Sequence, residues 1–290
     1  MTELISQALY SGVLQGGSYA LVALGLALVF GTMKVINLAH GELVLLAAYI
    51  AYTVESRLGL NPVFAIPVAL VLVSLSAVLA YYLISLIKKD RELNSLILTY
   101  GLGVILTNAV LLIWSADVHT SNSAWFQEAV VVGPLYSMRS ELAFFVVSSA
   151  LMGALWWWLS RSWYGRAVRA VSSHRDAAKL MGINPRATEI VSFVVAGILA
   201  SFAGVALFSY GVIQPAYGHA LTIKAFIITV LAGIGSIPGV LVGAFLLGVT
   251  EALTITLASS ALQELAGMTL FLLVLFVLPN GLFGFAGRRG

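Results

Sequence analysis

The sequence contains VINLAHGELVLLAAYI at residues 35–50 and VIQPAYGHALTIKAFI at residues 212–227, two stretches that lie 177 positions apart. Six of the 16 aligned positions are identical: Val, Ile, Ala, Gly, Ala and Ile. In both stretches a glycine-containing break precedes an apolar run of 17 residues. Matching breaks indicate an internal repeat, although apolar helices share so few residue types that a chance similarity stays open.

The composition of the whole chain indicates an integral membrane protein. Of the 290 residues, 60% are hydrophobic and 9% are charged, against about 25% charged in an ordinary soluble protein, and the mean hydropathy is +1.01. The lack of cysteine excludes a disulfide framework, a thiolate metal site and a cysteine nucleophile. The basic residues behind the net charge of +3 lie in short loops, which argues against nucleic-acid binding.

The apolar runs predict nine membrane-spanning helices. About 20 apolar residues cross a hydrocarbon core, and no run alternates like a membrane β-strand. Because only helices and closed barrels satisfy their backbone groups in lipid, we expect an all-α polytopic fold. The N-terminal run is interpreted as a span and not a leader, since Lys34 is the first basic residue. The predicted spans cover residues 4–30, 41–57, 62–87, 93–114, 140–160, 189–211, 218–234, 239–259 and 264–284.

The offset of 177 extends the repeat over most of the chain. It maps the break at 59–62 onto the break at 236–239, the third span onto the eighth, and the fourth roughly onto the ninth. Five crossings separate the copies and give them opposite orientations, and inverted repeats are typical of transporters. We therefore expect one membrane domain over residues 1–290, consisting of repeat 1 at about 4–114, a central span at 140–160, a cytoplasmic segment at 161–188 and repeat 2 at about 189–284.

The distribution of basic residues predicts the orientation. Arg57 and Arg139 fall on one side of the membrane, and Lys224 lies inside a span. Because cytoplasmic loops are enriched in Lys and Arg, we place the N-terminus outside and the C-terminus in the cytoplasm. The other 12 basic residues share the cytoplasmic side: Lys34, Lys88, Lys89, Arg91, Arg161, Arg166, Arg169, Arg175, Lys179, Arg186, Arg288 and Arg289.

No catalytic constellation is visible in the sequence. His40, His119, His174 and His219 are dispersed, with neither metal-ligand spacing nor a partnered serine motif. A GxxxxGK[ST] phosphate loop is also missing, so ATP hydrolysis by that route is excluded. We expect a protein that is not an enzyme and that holds no metal and no cofactor.

Polar residues at membrane depth are the candidates for a substrate path. Ionisable residues inside spans are functional by default, but Glu42, His219 and Glu264 lie near span ends, where an interfacial side chain is an equally good interpretation. Lys224 lies inside a span and is either functional or extends its ammonium towards the membrane surface. The breaks at 31–41 and 211–218 start short helices whose N-termini favour an anionic group such as an α-carboxylate; Asn37 and Gln214 would donate amides to it, or serve only as polar helix starts. The candidate path residues are Asn37, His40, Glu42, Gln214, Tyr217, His219 and Glu251.

The basic segment RSWYGRAVRAVSSHRDAAKLMGINPR at residues 161–186 predicts a cytoplasmic helix over 164–180, with Gly182 at the C-cap position and Pro185 ending any continuation. The helix either lies on anionic lipid or docks a cytoplasmic partner, with the carboxylate and two small residues at 176–178 seated closely against it. The candidate coupling residues are Gly165, Arg166, Arg169, Arg175, Asp176, Ala177, Ala178 and Gly182.

Four motifs resemble the LivH-type permease family of branched-chain amino acid ABC transporters. They are GTMKVINLAHGE at 31–42, GRAVRA with DAAKLMGIN at 165–184, KAFIITVLAGIGSIPGVLVGAFLLGVTEAL at 224–253, and LPNGLFG at 278–284. The chain has Ala232 where the family pattern would have glycine. The stretch from Asp176 to Gly182 is similar to the beginning of the EAA motif by which many ABC permeases engage their ATPase, without its downstream part.

The resemblance covers nearly the whole chain and implies a multi-pass permease subunit in the bacterial inner membrane. It implies a companion M-type permease subunit, two cytoplasmic ATP-binding subunits and an extracytoplasmic solute-binding protein as partners, besides membrane lipid. A branched-chain or other neutral amino acid is the expected substrate. Urea and short-amide permeases share most of these motifs, and a stand-alone ion-coupled secondary transporter or a passive channel is the alternative from another class.

Overall fold

The computed structural model describes residues 1–233 and 236–283. Its helices are α1 (Thr2–Met33), α2 (His40–Leu58), α3 (Ile66–Ser85), α4 (Arg91–Trp114), α5 (Ala124–Gln127), α6 (Arg139–Arg161), α7 (Trp163–Ser173), α8 (Arg175–Leu180), α9 (Pro185–Tyr210), α10 (Tyr217–Ala232), α11 (Ile237–Leu257) and α12 (Gln263–Val277). Short 3₁₀ helices at Pro62–Ala65 and Ser260–Leu262 precede α3 and α12. The strands are β1 (His119–Thr120), β2 (Ala129–Val132), β3 (Leu135–Met138) and β4 (Val212–Ile213).

The long helices make this an all-α polytopic membrane protein. Among the described residues, seven helical segments are long and apolar enough to cross a membrane. The predicted spans at 41–57 and 218–234 coincide with α2 and α10, which are not among the seven: α2 carries Glu42, Glu55 and Arg57, and α10 has only 16 residues. The seven segments are Thr2–Met33, Pro62–Ser85, Arg91–Trp114, Arg139–Arg161, Pro185–Tyr210, Ile237–Leu257 and Ser260–Val277.

The last predicted span, 264–284, was too long. Its helix ends at Val277, and a turn follows in which Gly281 has a φ of +78°. Pro279 accounts for the stop, because a proline cannot continue the hydrogen-bond ladder and disfavours helical geometry in the residue before it. The end of the predicted seventh span at 234, and the basic residues Arg288 and Arg289, lie outside the described residues.

Helix α1 forms the centre of the protein. In its most apolar 18-residue window 83% of residues are buried, against 6% in the window of α12, so α1 is surrounded by protein while α12 faces outward. Gly12 of α1 approaches Val249 of α11 and Gly16 approaches Phe245, so the two helices run antiparallel. A Cβ at Gly12 would lie 2.6 Å from the Val249 Cα, so glycine at this position lets the two helices pack closely.

Helices α3 and α9 form a second antiparallel pair. The Tyr81 ring lies 5.5 Å from that of Phe193, centroid to centroid, and Ser74 packs against Gly197. Helix α9 also contacts α1 and α2, and α10 contacts α1, α2 and α11. The core is therefore built from α1, α2, α9, α10 and α11, with α4, α6 and α12 towards its periphery.

Four short strands depart from the purely helical expectation. β2 and β3 form a hairpin in which Val132 pairs with Leu135, and Gly133 has the φ of +63° that the turn requires. β1 and β4 pair antiparallel and so join the loop after α4 to the segment before α10. These pairings are too short to leave a periodic signal in the sequence. They bring distant loops together without altering the helical core.

Candidate functional site

An ion pair lies in the middle of the helical core. Lys224 of α10 places its Nζ 2.8 Å from Oε2 of Glu251 on α11, and the relative exposure of the two side chains is 11% and 1%. Charged side chains are costly at this depth and pair with one another where they occur. Lys224 therefore does not snorkel to the surface. It is the buried partner of Glu251, one of the predicted path residues.

Tyr19 of α1 completes the buried polar cluster, the name used here for Tyr19, Lys224 and Glu251. Its hydroxyl donates to Glu251 Oε2 at 2.7 Å and accepts from Lys224 Nζ at 2.8 Å. Gln15 donates to the same hydroxyl at 2.7 Å, and Gln263 of α12 donates to Glu251 Oε2 at 2.6 Å. Four helices thus meet at one carboxylate and one ammonium, and the hydrogen bonds that converge on Glu251 Oε2 offset part of the cost of burying the charges.

Two cavities open on either side of the cluster. The larger, about 320 Å³, is bounded by Tyr19 and Lys224 together with the predicted path residues Gln214 and Tyr217. The smaller, about 180 Å³, is bounded by Lys224, Glu251 and the predicted His219. The two cavities share three lining residues: Ala220, Lys224 and Glu264.

Asn37, His40 and Glu42 line neither cavity. The Asn37 side chain is buried and accepts from the Ala39 amide at 3.1 Å, which is the geometry of a polar helix start. His40 is buried with Nε2 2.9 Å from the Val22 carbonyl oxygen. Asn37 and Gln214, expected to act together, are thus in different surroundings: one is enclosed and the other faces the larger cavity.

The first turns of α2 and α10 contact each other directly. The Gly41 amide donates to Thr222 Oγ1 at 2.8 Å, and any side chain at Gly41 would overlap the Gly218 carbonyl oxygen. The Glu42 carboxylate lies against Gly218, and its Oε2 is buried without a hydrogen-bond partner among the described residues. This crossing brings two helix N-termini together inside the protein, a contact between the breaks that the sequence did not predict.

The segment predicted as one helix over 164–180 is two helices. His174 adopts an extended backbone with φ −153°, ends α7, and caps α8 by accepting the Ala177 amide on Nδ1 at 3.2 Å. Capping explains why the helix breaks here: a side chain that accepts a hydrogen bond from the first amides of a new helix stabilises the start of that helix. At Gly182, φ is +82° and the amides of Gly182 and Ile183 bond the carbonyls of Lys179 and Ala178, which confirms the predicted C-cap.

Several of the predicted coupling residues are engaged within the chain. Arg175 Nε lies 2.8 Å from Glu189 Oε1 on α9, and Tyr81 donates to Oε2 of that carboxylate at 3.2 Å. The hydrogen bond to Glu189 raises the pKa of Arg175. Arg169 donates to the Leu159 carbonyl at 2.8 Å, and Ala178 is buried. Gly165 packs on the backbone of Leu159, while Arg166, Asp176, Ala177 and Gly182 are exposed.

Sequence reasoning missed two groups of functional interest: Tyr19 in the polar cluster, and the pair Leu180 and Met181, which are 88% and 82% exposed at the tip of α8. It considered Lys224 but not the pairing of Lys224 with Glu251. One signal was available for Lys224, because opposite charges in consecutive apolar runs are expected to pair. Tyr19 gave none. Within the described residues, no three His, Asp or Glu side chains gather as a metal site requires.

A family model and several known proteins match nearly the full length of this chain. A family model described as "Branched-chain amino acid transport system / permease component" matches residues 8–278. The chain is 34% identical to the high-affinity branched-chain amino acid transport system permease protein BraD of Pseudomonas aeruginosa, over 96% of this chain and 95% of the relative. It is 32% identical to LivH of Salmonella typhimurium, over 96% and 95%, and 27% identical to the probable LivH of Methanocaldococcus jannaschii, over 95% and 91%. No solved structure matches.

The ion pair predicts a specific pattern of stability. Lys224→Met or Glu251→Leu alone leaves one buried charge uncompensated, which costs about 3–5 kcal/mol, whereas the double variant removes both charges and recovers most of that loss. Thermal unfolding of the four purified proteins, analysed as a double-mutant cycle, measures the coupling. Additive effects of the two substitutions would show that the side chains do not interact.

Proposed function

Because this chain belongs to the permease-component family of branched-chain amino acid transport systems, we propose that it forms the translocation path of an ABC importer for branched-chain or other neutral amino acids. The chain is a transport subunit and not an enzyme. The relatives that align with it almost end to end are permease proteins of transport systems. ATP is hydrolysed on separate subunits. The observation that carries the proposal is the match along 96% of the chain, and the polar cluster between two cavities supports a path through this subunit.

The function is tested in vesicles that contain this chain, its companion permease and the ATP-binding subunits, with the solute-binding protein outside. Uptake of labelled leucine, isoleucine and valine should require ATP and should stimulate its hydrolysis, since the chain has no energy source of its own. ATP-independent uptake by this chain alone would instead identify a secondary transporter or a channel. Urea or acetamide as the better substrate would assign the chain to the amide branch.

We further propose nine crossings in two inverted repeats, at about 4–114 and 189–284, around a central span at 140–160. The pairing of α1 with α11 and of α3 with α9 supports this arrangement, because the offset of 177 exchanges the two pairs. Gly41 and Gly218, which the offset also relates, contact each other, as expected near a pseudo-two-fold axis. In this arrangement α2 and α10 complete the count, short because they start inside the protein.

Cysteine labelling tests the orientation, with the N-terminus outside and the C-terminus in the cytoplasm. The chain has no cysteine of its own. Ala124 in α5 and Ser173 at the end of α7 are both exposed. In intact cells Ala124→Cys should react with an impermeant thiol reagent and Ser173→Cys should react only after permeabilisation. The reverse pattern would contradict both the orientation and the inverted repeat.

The assembly proposed for the bacterial inner membrane contains this chain, a companion M-type permease subunit, two cytoplasmic ATP-binding subunits and an extracytoplasmic solute-binding protein. The apolar outer faces of α4, α6 and α12 are exposed and suit lipid or the companion permease. The cytoplasmic segment at 161–188 is the proposed contact with the ATP-binding subunits. Residues Asn37, His40, Glu42, Gln214, Tyr217, His219 and Glu251 remain the proposed path, with Gln214, Tyr217, His219 and Glu251 at the two cavities.

Coupling is proposed to run through α8. Leu180 and Met181 present an apolar tip to the cytoplasm, next to the exposed Asp176 and Ala177. The opposite side of α8 is tied to α9 by Arg175 and Glu189, and through the Tyr81 hydroxyl to α3. A displacement of α8 by an ATP-binding subunit would thus be passed to α9 and α3. Arg175 acts here as a positioning residue and not as a contact to the partner.

Leu180→Glu should remove the docking contact. A charge at the centre of an apolar contact typically eliminates a hot spot, so we expect about 10-fold or greater loss of the ATP-binding subunits from the purified complex, with normal membrane insertion. Leu58→Glu, an equally large change at the exposed end of α2, is the matched control and should leave the complex intact. Full retention of the subunits by Leu180→Glu would favour a helix that lies on lipid.

A further inference from the structure

The polar cluster has the composition of a site for a molecule that carries both charges. Lys224 supplies one cation and Glu251 one anion, 2.8 Å apart, and the Tyr19 hydroxyl bridges them. Among the described residues this is the ion pair with both partners buried. In the Arg139–Glu128 pair neither side chain is buried, and in the Arg175–Glu189 pair the buried Glu189 faces an exposed Arg175. A purely structural clamp between α10 and α11 would not need access from a cavity. This one has access from two.

The two cavities reach different parts of the cluster. Tyr19 and Lys224 line the larger, and Lys224 and Glu251 line the smaller. Leu207 and Leu221 form an aliphatic part of the wall of the larger cavity, and Ile223, Ile227 and Met268 form one in the smaller. Polar side chains share the remaining walls, among them Glu264, which lines both cavities and is exposed. A ligand at the cluster would therefore meet paired charges at one end and an aliphatic surface at the other.

We propose that Lys224, Glu251 and Tyr19 bind the zwitterionic head of an α-amino acid during translocation, with the α-carboxylate on Lys224 and Tyr19 and the α-ammonium on Glu251. The proposal rests on the proposed function and adds the residues that select the substrate class. In the empty site the two protein charges pair with each other, and in the occupied site each pairs with the opposite charge of the solute. No charge is left buried without a partner in either state, so the exchange avoids the large cost of an uncompensated charge.

Selectivity follows from the same balance. A carboxylate without an ammonium would pair with Lys224 and leave Glu251 unpaired, and an amine without a carboxylate would do the reverse. A site that leaves its buried charges unsatisfied rejects the wrong ligand much more strongly than one that loses apolar contact. The solute's side chain contributes only the weaker discrimination, which fits a path that admits several aliphatic side chains.

The first test measures leucine uptake by the complete complex in vesicles. The double variant Lys224→Met with Glu251→Leu keeps the volume of both side chains and removes both charges, so it should assemble yet lose uptake on the order of 100-fold. Thr229→Val is the control on the same helix: Thr229 is buried, bonds the Ala225 carbonyl and lines neither cavity, so uptake should be unchanged. Uptake by the double variant within twofold of the parent would overturn the proposal and leave a structural clamp.

The second test separates recognition from a merely structural effect. The complex without solute-binding protein is melted with leucine, with 4-methylpentanoate, which lacks the ammonium, or with 3-methylbutylamine, which lacks the carboxylate. Leucine should give the largest rise in Tm for the parent, and Glu251→Gln should shift the preference to 4-methylpentanoate. An identical order of ligands in parent and variant would overturn the proposal. If the parent complex imports no amino acid under ATP, the proposed function itself has failed, which is a different result.

Discussion

A carboxylate and an ammonium cannot remain in a low-dielectric core unless each has a partner, and this requirement organises the centre of the protein. Glu251 on α11 and Lys224 on α10 satisfy it with each other, and Tyr19 and Gln263 add hydrogen bonds from α1 and α12. The relative depth and rotation of these helices are therefore fixed by a polar contact, in a protein where apolar packing against lipid-like neighbours discriminates little between registers. The same contact requires that the helices approach each other closely, and glycines allow this approach. Gly12 and Gly16 bring α1 against α11, which places the Tyr19 hydroxyl within reach of Glu251.

The α2–α10 crossing is a second consequence of small residues in apolar surroundings. Gly41 and Gly218 let two helix starts touch, and Thr222 satisfies the Gly41 amide that the helix geometry leaves unpaired. A larger side chain at either glycine would separate the helices and leave buried amides without acceptors. Short helices that begin inside a membrane protein are stable only where such neighbours supply the missing partners.

Much of the helical framework was predictable from the sequence, because a run of about 20 apolar residues admits few alternatives in lipid. The predicted C-cap at Gly182 also followed from local chemistry. The break at His174 did not, since histidine is not a strong breaker and its capping role depends on the geometry of the chain that follows. The contribution of Tyr19 was beyond local reasoning for another reason: a tyrosine in an apolar helix is ordinary, and only the approach of α1 to α11 gives its hydroxyl two charged neighbours. The exposure of individual side chains could not be predicted either: Ala178 was expected at a docking surface, but it is buried, while Leu180 and Met181 next to it are exposed.

The charged residues of the polar cluster have no counterparts at the positions related by the proposed inverted repeat. Under the offset of 177, Tyr19, Lys224 and Glu251 correspond to Ala196, Ala47 and Ser74. The helices that carry these counterparts pack in the corresponding way, with Ser74 against Gly197, yet the contact there is made of small side chains without charge. The proposed symmetry therefore belongs to the frame and not to the chemistry. The charged pair lines the two cavities from the α10–α11 side, so a solute bound as proposed would contact that side. The α3–α9 pair carries no such charge at the equivalent positions, and its own charged contact is the one that joins Glu189 to Arg175 of α8 and to Tyr81.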